Sequence, residues 1–287
     1  TAVVANITKL SSGLESWYDV GAASDKLGHL LDLPLERQTG DSIGGGKRAG
    51  DRSQGASVQL ANVACSIDGE DGNLDDFTLD VQPGERIALT GAAGGSATLL
   101  LDVLYGRREP QSGSVTVDGL DLRQLRLDET RNAFALVHGT EIVEGSLLDN
   151  LRFGRKDIGP VEVRDALRDV GLWDEVMALE NGLDTDLTTG GRPLTQSQAR
   201  RLMLARAILS EPRLLLLDGA LDSLTPSLRR QALARLFDDR HKWTVLIATN
   251  QADVIAACDR TLDCEDGSCR VDFGPPNDAT KDGEELS

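Results

Sequence analysis

Two short stretches, Leu214-Leu215-Leu216-Leu217 and Val245-Leu246-Ile247-Ala248, are apolar at every position. A strand with one wet face alternates apolar and polar residues, so a strand with no polar position needs cover on both faces. A helix-patterned stretch, Ser227–Phe237, lies between them. Buried strands joined by helices predict a parallel sheet with helices on both sides, an α/β fold. In such sheets ligands gather at the carboxyl ends of the strands.

The chain has 287 residues, 40% of them apolar, enough for one large α/β domain with appendages. Residues 1–35 read as a helical connector. Apolar side chains recur three or four apart from Val3 to Leu31, interrupted by Gly13, Gly21 and Gly28. One apolar stripe on a long helix needs a partner surface. Residues 36–56 carry six glycines among polar residues and read as a flexible linker. The compact domain is expected over 57–274. Its first part is strand-rich, with strands at Val58–Val63, Phe77–Val81, Arg86–Thr90 and Ser114–Val117. Its middle, Asp128–Leu209, reads as helix-rich, and its last part alternates strand and helix. Residues 275–287 are polar and acidic and read as a disordered tail.

The net charge is −17. Nucleic acid is therefore not an expected partner, because binding it needs Lys and Arg to neutralise phosphates. The four cysteines, Cys65, Cys258, Cys264 and Cys269, are too sparse for a disulfide framework and point to a reducing compartment. Cys264 and Cys269 lack further ligands for a metal clip and read as plain thiols near a strand turn. No run reaches the ~18 apolar residues of a membrane span, and no signal peptide is visible. The chain by itself is expected to be soluble. It begins at Thr1 rather than Met, which suggests a fragment of a longer protein.

The stretch Gly91-Ala92-Ala93-Gly94-Gly95-Ser96-Ala97-Thr98 leaves the strand Arg86–Thr90 and runs into an apolar helix. Gly91, Gly94 and Gly95 let backbone N–H groups converge on an anion at the positive end of that helix. Thr98 stands where a hydroxyl holds Mg²⁺, but the lysine position is Ala97. Alone, this fits a phosphate loop and a glycine-rich turn without a ligand equally well.

Downstream come "LTQSQARRLMLARAILSEPRLLLLDGALDSL" at 194–224 and "TVLIATNQADVIAACDR" at 244–260; upstream of them stands "EIVEGSLLDNLRFGR" at 141–155. In that order and spacing the chain resembles the nucleotide-binding domain of an exporter-type ATP-binding cassette (ABC) transporter. The resemblance covers about residues 57–274. Less specifically, "DKLGHLLDLPLE" resembles the connector after the last membrane helix of exporters. It implies a P-loop NTPase fold: a RecA-like parallel core with an antiparallel β subdomain and an α-helical subdomain.

By the same resemblance, the adenine-stacking aromatic corresponds to Ile67, the phosphate-loop lysine to Ala97, and the Mg²⁺-sensing glutamine to His138. The signature loop, usually Leu-Ser-Gly-Gly-Gln, is Leu194-Thr195-Gln196-Ser197-Gln198. The strand-end aspartate is kept as Asp218, and Thr98 with Asp218 would hold Mg²⁺. The general-base glutamate is Gly219, the aspartate of the next loop falls near Thr225, and the switch histidine is Asn250. Ala97 removes a charge-assisted contact of about 1.5–3 kcal/mol. Gly219 removes a base of a kind that contributes about 10²–10⁴ in rate. Asn250 hydrogen-bonds but cannot take up a proton. Gln196 and Ser197 put side chains where glycines allow close phosphate approach. Ile67 has no π face. His138 reads as a substitute Mg²⁺-site or γ-phosphate contact, or as a neutral polar filler, since His favours softer metals. Asp218 and the glycines read either as a remaining weak nucleotide site or as inherited fold.

The family pairs two cassettes head to tail on a membrane domain, with each ATP between one phosphate loop and the partner's signature loop. Both surfaces are altered in this chain. Gly145–Leu151 would lie near the surface that receives the membrane domain, or it is a plain loop with Ser146 as a helix cap. The resemblance thus implies a cassette on the cytoplasmic face of the inner membrane, binding ATP and Mg²⁺ weakly or not at all. Its catalytic Glu and His positions are replaced by Gly219 and Asn250, and it would act as a non-catalytic or regulatory half. The alternatives are an active ATPase using replacement residues such as His138, and a scaffold with no transport role.

Overall fold

The computed structural model describes residues 54–66, 72–91, 95–155, 157–264 and 270–272. The expected connector 1–35, most of the linker, Ile67, Gly94, Cys269 and the acidic tail lie outside the described residues. The chain divides into two units, Thr1–Gln38 and Thr39–Ser287.

The second unit begins with strands β1 (Val58–Ser66), β2 (Asn73–Val81) and β3 (Arg86–Thr90), then helix α1 (Ser96–Tyr105). Next come β4 (Ser112–Val117), β5 (Leu120–Asp121), α2 (Leu127–Ala133) and β6 (Phe134–His138). The middle holds β7 (Gly145–Ser146), α3 (Leu147–Arg152), α4 (Pro160–Asp169), α5 (Trp173–Met177), β8 (Asp186–Leu187) and α6 (Gln196–Leu209). The chain continues with β9 (Leu214–Asp218), α7 (Pro226–Leu236), β10 (Thr244–Ala248), α8 (Ala252–Ile255), β11 (Arg260–Asp263) and β12 (Arg270–Asp272).

The central sheet has the order β12-β11-β3-β10-β9-β6. Every neighbouring pair is parallel except β11 with β12. A second sheet, β2-β1-β4-β5, is antiparallel. The α/β fold with an antiparallel subdomain and a helical subdomain is thereby confirmed. The all-apolar strands have their physical reason in two separate cores. Leu215, Leu217, Val245 and Ile247 pack into the core shared with the helices α3 to α7. Leu214, Leu216, Leu246 and Ala248 pack into the other, with α1 and the antiparallel sheet. Consecutive residues of one strand point to opposite faces, so both sets must be apolar.

Three expectations need correction. The helix-rich reading of 128–209 missed β6, which is the edge strand against β9. The flexible linker ends earlier than residue 56. Arg213 donates to the carbonyls of Gln54 and Gly55, and Ala56 is fully buried. A Cβ on Gly55 would lie 2.5 Å from the backbone nitrogen of Gly84, so this segment is body rather than tether. Finally, the cysteines are not all thiols. Cys264 is disulfide-bonded, whereas Cys65 and Cys258 are free. Burial pushes the Cys258 thiol up to about 12, which leaves it unreactive. Among the described residues no group of three or more His, Cys, Asp or Glu could hold a metal ion. No helix among them is long and apolar enough to cross a membrane.

Candidate nucleotide site

The parallel register brings the sequence-separated candidates to one edge of the sheet. His138 stands opposite Asp218 on β6 and β9, Asp218 opposite Ala248 on β10, and Ala248 opposite Leu89 on β3. Gly91 and Gly219 follow directly after the ends of β3 and β9, and Asn250 stands two residues beyond the end of β10. This is the carboxyl edge where a ligand is expected.

Asp218 is the hub. Its Oδ2 accepts from Thr98 Oγ1 at 3.0 Å and lies 2.6 Å from His138 Nδ1. The Asp218 side chain is 12% exposed and that of His138 is 48% exposed, so the imidazole covers the carboxylate from the solvent side. One oxygen atom therefore holds both neighbours, and the residues read as Mg²⁺ ligands are bonded to each other.

Ala97 packs its methyl group into the α1 core and is 4% exposed. Lys242 is the single lysine among the described residues. It precedes β10, at the opposite end of the sheet, with its carbonyl beside Gly55 and Gly84. The ends of β6, β9, β10 and β11 and the turns just after them carry Asp218, Asp222 and Asp263 but no described Lys or Arg.

Gly219 has φ +57°, a left-handed backbone, and donates its N–H to the Ala248 carbonyl at 3.0 Å. A Cβ at that position would meet nothing within 4 Å, so space admits a side chain and the left-handed backbone makes one costly. Asn250 faces the loop. Its Oδ1 accepts from the Gly91 N–H at 3.2 Å and its Nδ2 donates to the Gly91 carbonyl at 2.9 Å.

One residue was missed in the sequence. The phosphate-loop pattern G-x-x-x-x-G-K-[ST] puts its second glycine at position 96, which is Ser96. Ser96 is 1% exposed; its Oγ donates to the Asn73 carbonyl at 2.7 Å and accepts from the Asn73 N–H at 3.2 Å. The signal was present as a broken motif, but the neighbouring glycine at 95 masked it.

The family model described as "ABC transporter" matches residues 74–222, just over half of the chain. The chain belongs to the ABC transporter family. The ATP-dependent lipid A-core flippase of Neisseria meningitidis (strain Z2491) is 34% identical over 250 residues, 85% of this chain and 39% of that protein. The Beta-(1-->2)glucan export ATP-binding/permease protein of Rhodopseudomonas palustris is 30% identical over 243 residues, covering 83% and 39%. The chain thus spans about two fifths of the length of these relatives. The fold matches a bacterial Atm1-family ABC exporter solved with ATP bound, with a TM-score of 0.72 at 22% identity, over 86% of this chain and 43% of that one. This ABC chain is of the exporter type.

The signature segment sits away from the hub, at the start of α6. Thr195 is the helix N-cap: its hydroxyl accepts from the Gln198 N–H, and Gln198 Oε1 accepts from the Thr195 N–H at 2.8 Å. Gln198 Nε2 reaches Glu175 on α5 at 2.7 Å. Glu175 is held below the usual carboxylate range, chiefly by Arg201 and then by Gln198. Leu194 is buried, whereas Thr195 and Gln196 are exposed and Ser197 is half-buried. Thr195 and Gln198 therefore serve the helix end and α5.

The exporter-like stretch forms a stiff corner. Ser146 caps α3 by accepting from the Asp149 N–H. Asn150 is 2% exposed and bonds both the N–H and the carbonyl of Val143. Arg206 donates to the Asn150 carbonyl and to the Glu141 carbonyl, with its guanidinium 4.7 Å from the Phe153 ring. Val143 and Phe153 remain exposed on this corner.

Proposed function

We propose that this chain is the cassette of an exporter-type transporter half that no longer hydrolyses ATP, and that it serves its assembly as a non-catalytic or regulatory half. One observation carries the reading: the carboxyl edge of the sheet is satisfied by the chain itself. Asp218 is engaged by Thr98 and His138, Asn250 by Gly91, and among the described residues no lysine replaces Ala97. Thr98 and Asp218 offer oxygen ligands of the kind Mg²⁺ takes, whereas Ala97 offers a triphosphate no charge. The base position carries no side chain at Gly219. His138 has Nδ1 on Asp218, which leaves Nε2 as its one free nitrogen, so its role is decided by the His138→Ala test below.

The corner built by Asn150 and Arg206, with Val143 and Phe153 exposed, supports a contact with a membrane domain on the cytoplasmic face of the membrane. The second cassette would pair through the signature face at α6. With the phosphate-loop side and the signature side both altered, an intact partner leaves each shared site half broken. The proposed boundaries are connector 1–35, linker 36–53, cassette 54–274 and tail 275–287.

The test is phosphate release by the purified chain, alone and with candidate partner cassettes. Turnover at background level is expected, unchanged by Asp218→Asn. Mg²⁺-dependent turnover that Asp218→Asn abolishes would show a working ATPase instead, and its loss in His138→Ala would identify the substitute.

A further inference from the structure

Both ends of the phosphate loop are tied to other strands by side chains that the family pattern lacks. At its start, the Asn250 carboxamide takes the N–H and the carbonyl of Gly91 together, joining the end of β3 to the end of β10. At its other end, the Ser96 hydroxyl takes the N–H and the carbonyl of Asn73 together, joining α1 to the start of β2. Gly72 comes close beside it: a Cβ there would lie 3.1 Å from the Gly95 carbonyl oxygen. In each case one side chain satisfies both polar backbone groups of one residue.

Neither clasp could be made by the family's own residues. A glycine at 96 has no side chain. A histidine at 250 has one donor and one acceptor on opposite sides of a rigid ring, and cannot bond both groups of a single residue. The two replacements are 154 positions apart in sequence (250 minus 96), yet they act on the two ends of one short loop. Neither bond pair involves a ligand.

We infer that Ser96 and Asn250 form a double clasp that fixes the ends of the phosphate loop without nucleotide. The loop ends are then preset, and nucleotide has no conformational change to drive there. The clasp is independent of whether the chain hydrolyses ATP.

Amide hydrogen exchange of the full chain, resolved at Gly91 and Asn73, tests it. Asn250→His should speed exchange at Gly91 about five- to tenfold and leave Asn73 alone; Ser96→Gly should do the reverse, in line with the loss of one or two hydrogen bonds. Amides of β9 and β10 should not change in either variant. Millimolar MgATP should leave both wild-type rates as they are. Equal rates in variant and wild type overturn the clasp, as does a uniform rise across the sheet or a slowing by MgATP. If Asn250→His fails to fold, Asn250→Ala, which removes both bonds to Gly91, is read the same way. Measurable turnover by the wild type would overturn the proposed function and leave the clasp standing.

Discussion

At the scale of single residues, the nucleotide end has been rewritten as a set of internal contacts. The losses at Ala97, Gly219 and Asn250 are legible in the sequence because each breaks a motif at a known spacing. What replaces them is not legible, because the partners are remote. Asn250 meets Gly91 across 159 positions, His138 meets Asp218 across 80, and Ser96 meets Asn73 across 23. Only the sheet register brings them together. Gly219 shows the same limit. Its sequence says that a base is absent, while its φ of +57° says that putting one back is costly. Gly219→Glu should destabilise the chain by roughly 1–2 kcal/mol in denaturant unfolding, from the left-handed backbone alone. Gly219→Asn should cost less, since Asn tolerates that region better. Equal losses for the two would show that the backbone relaxes on substitution.

At the scale of elements, the strands that face two cores were read correctly, whereas β6 and β11 were missed. Leu214–Leu217 of β9 and Val245–Ala248 of β10 have no polar position because both faces are packed, and this pattern has few competing explanations. β6 was read into a helical stretch, since Phe134–His138 follows α2 with no Gly or Pro between them. β11 buries only Leu262 fully and carries little apolar signal. The joint between α7 and β10 shows how such elements are tied. Trp243 Nε1 donates to the Leu236 carbonyl at the end of α7, and His241 stacks on Trp243 with ring centroids 4.0 Å apart. Burial lowers the His241 pKa below its ordinary 6.5, Arg240 adds to the effect, and Asp169, Asp238 and Glu211 oppose it without prevailing. The folded chain therefore prefers the neutral ring, and the unfolded chain takes up the proton first. This contribution to stability is complete above pH 6.5 and is lost as pH falls through the lower folded value. Unfolding midpoints should drop as pH falls below 6.5, and His241→Phe, which keeps the stack, should flatten that slope. An unchanged slope in the variant would assign the dependence to other groups.

At the scale of the whole molecule, an intact frame carries an altered chemical edge. The two cores, the parallel sheet, the capped α6 and the corner at Asn150 are those of a sound cassette. The phosphate-loop lysine position is Ala97, and Lys242 is the single lysine among the described residues. Such a chain can still occupy a cassette's place beside a membrane domain and a partner, because those contacts depend on shape and on surfaces away from the edge. The most direct measurement is a titration of the full chain with ATP and Mg²⁺, followed by thermal unfolding. The account predicts no saturable shift up to millimolar nucleotide, with and without Mg²⁺. A saturable, Mg²⁺-dependent rise that disappears in Asp218→Asn would contradict it.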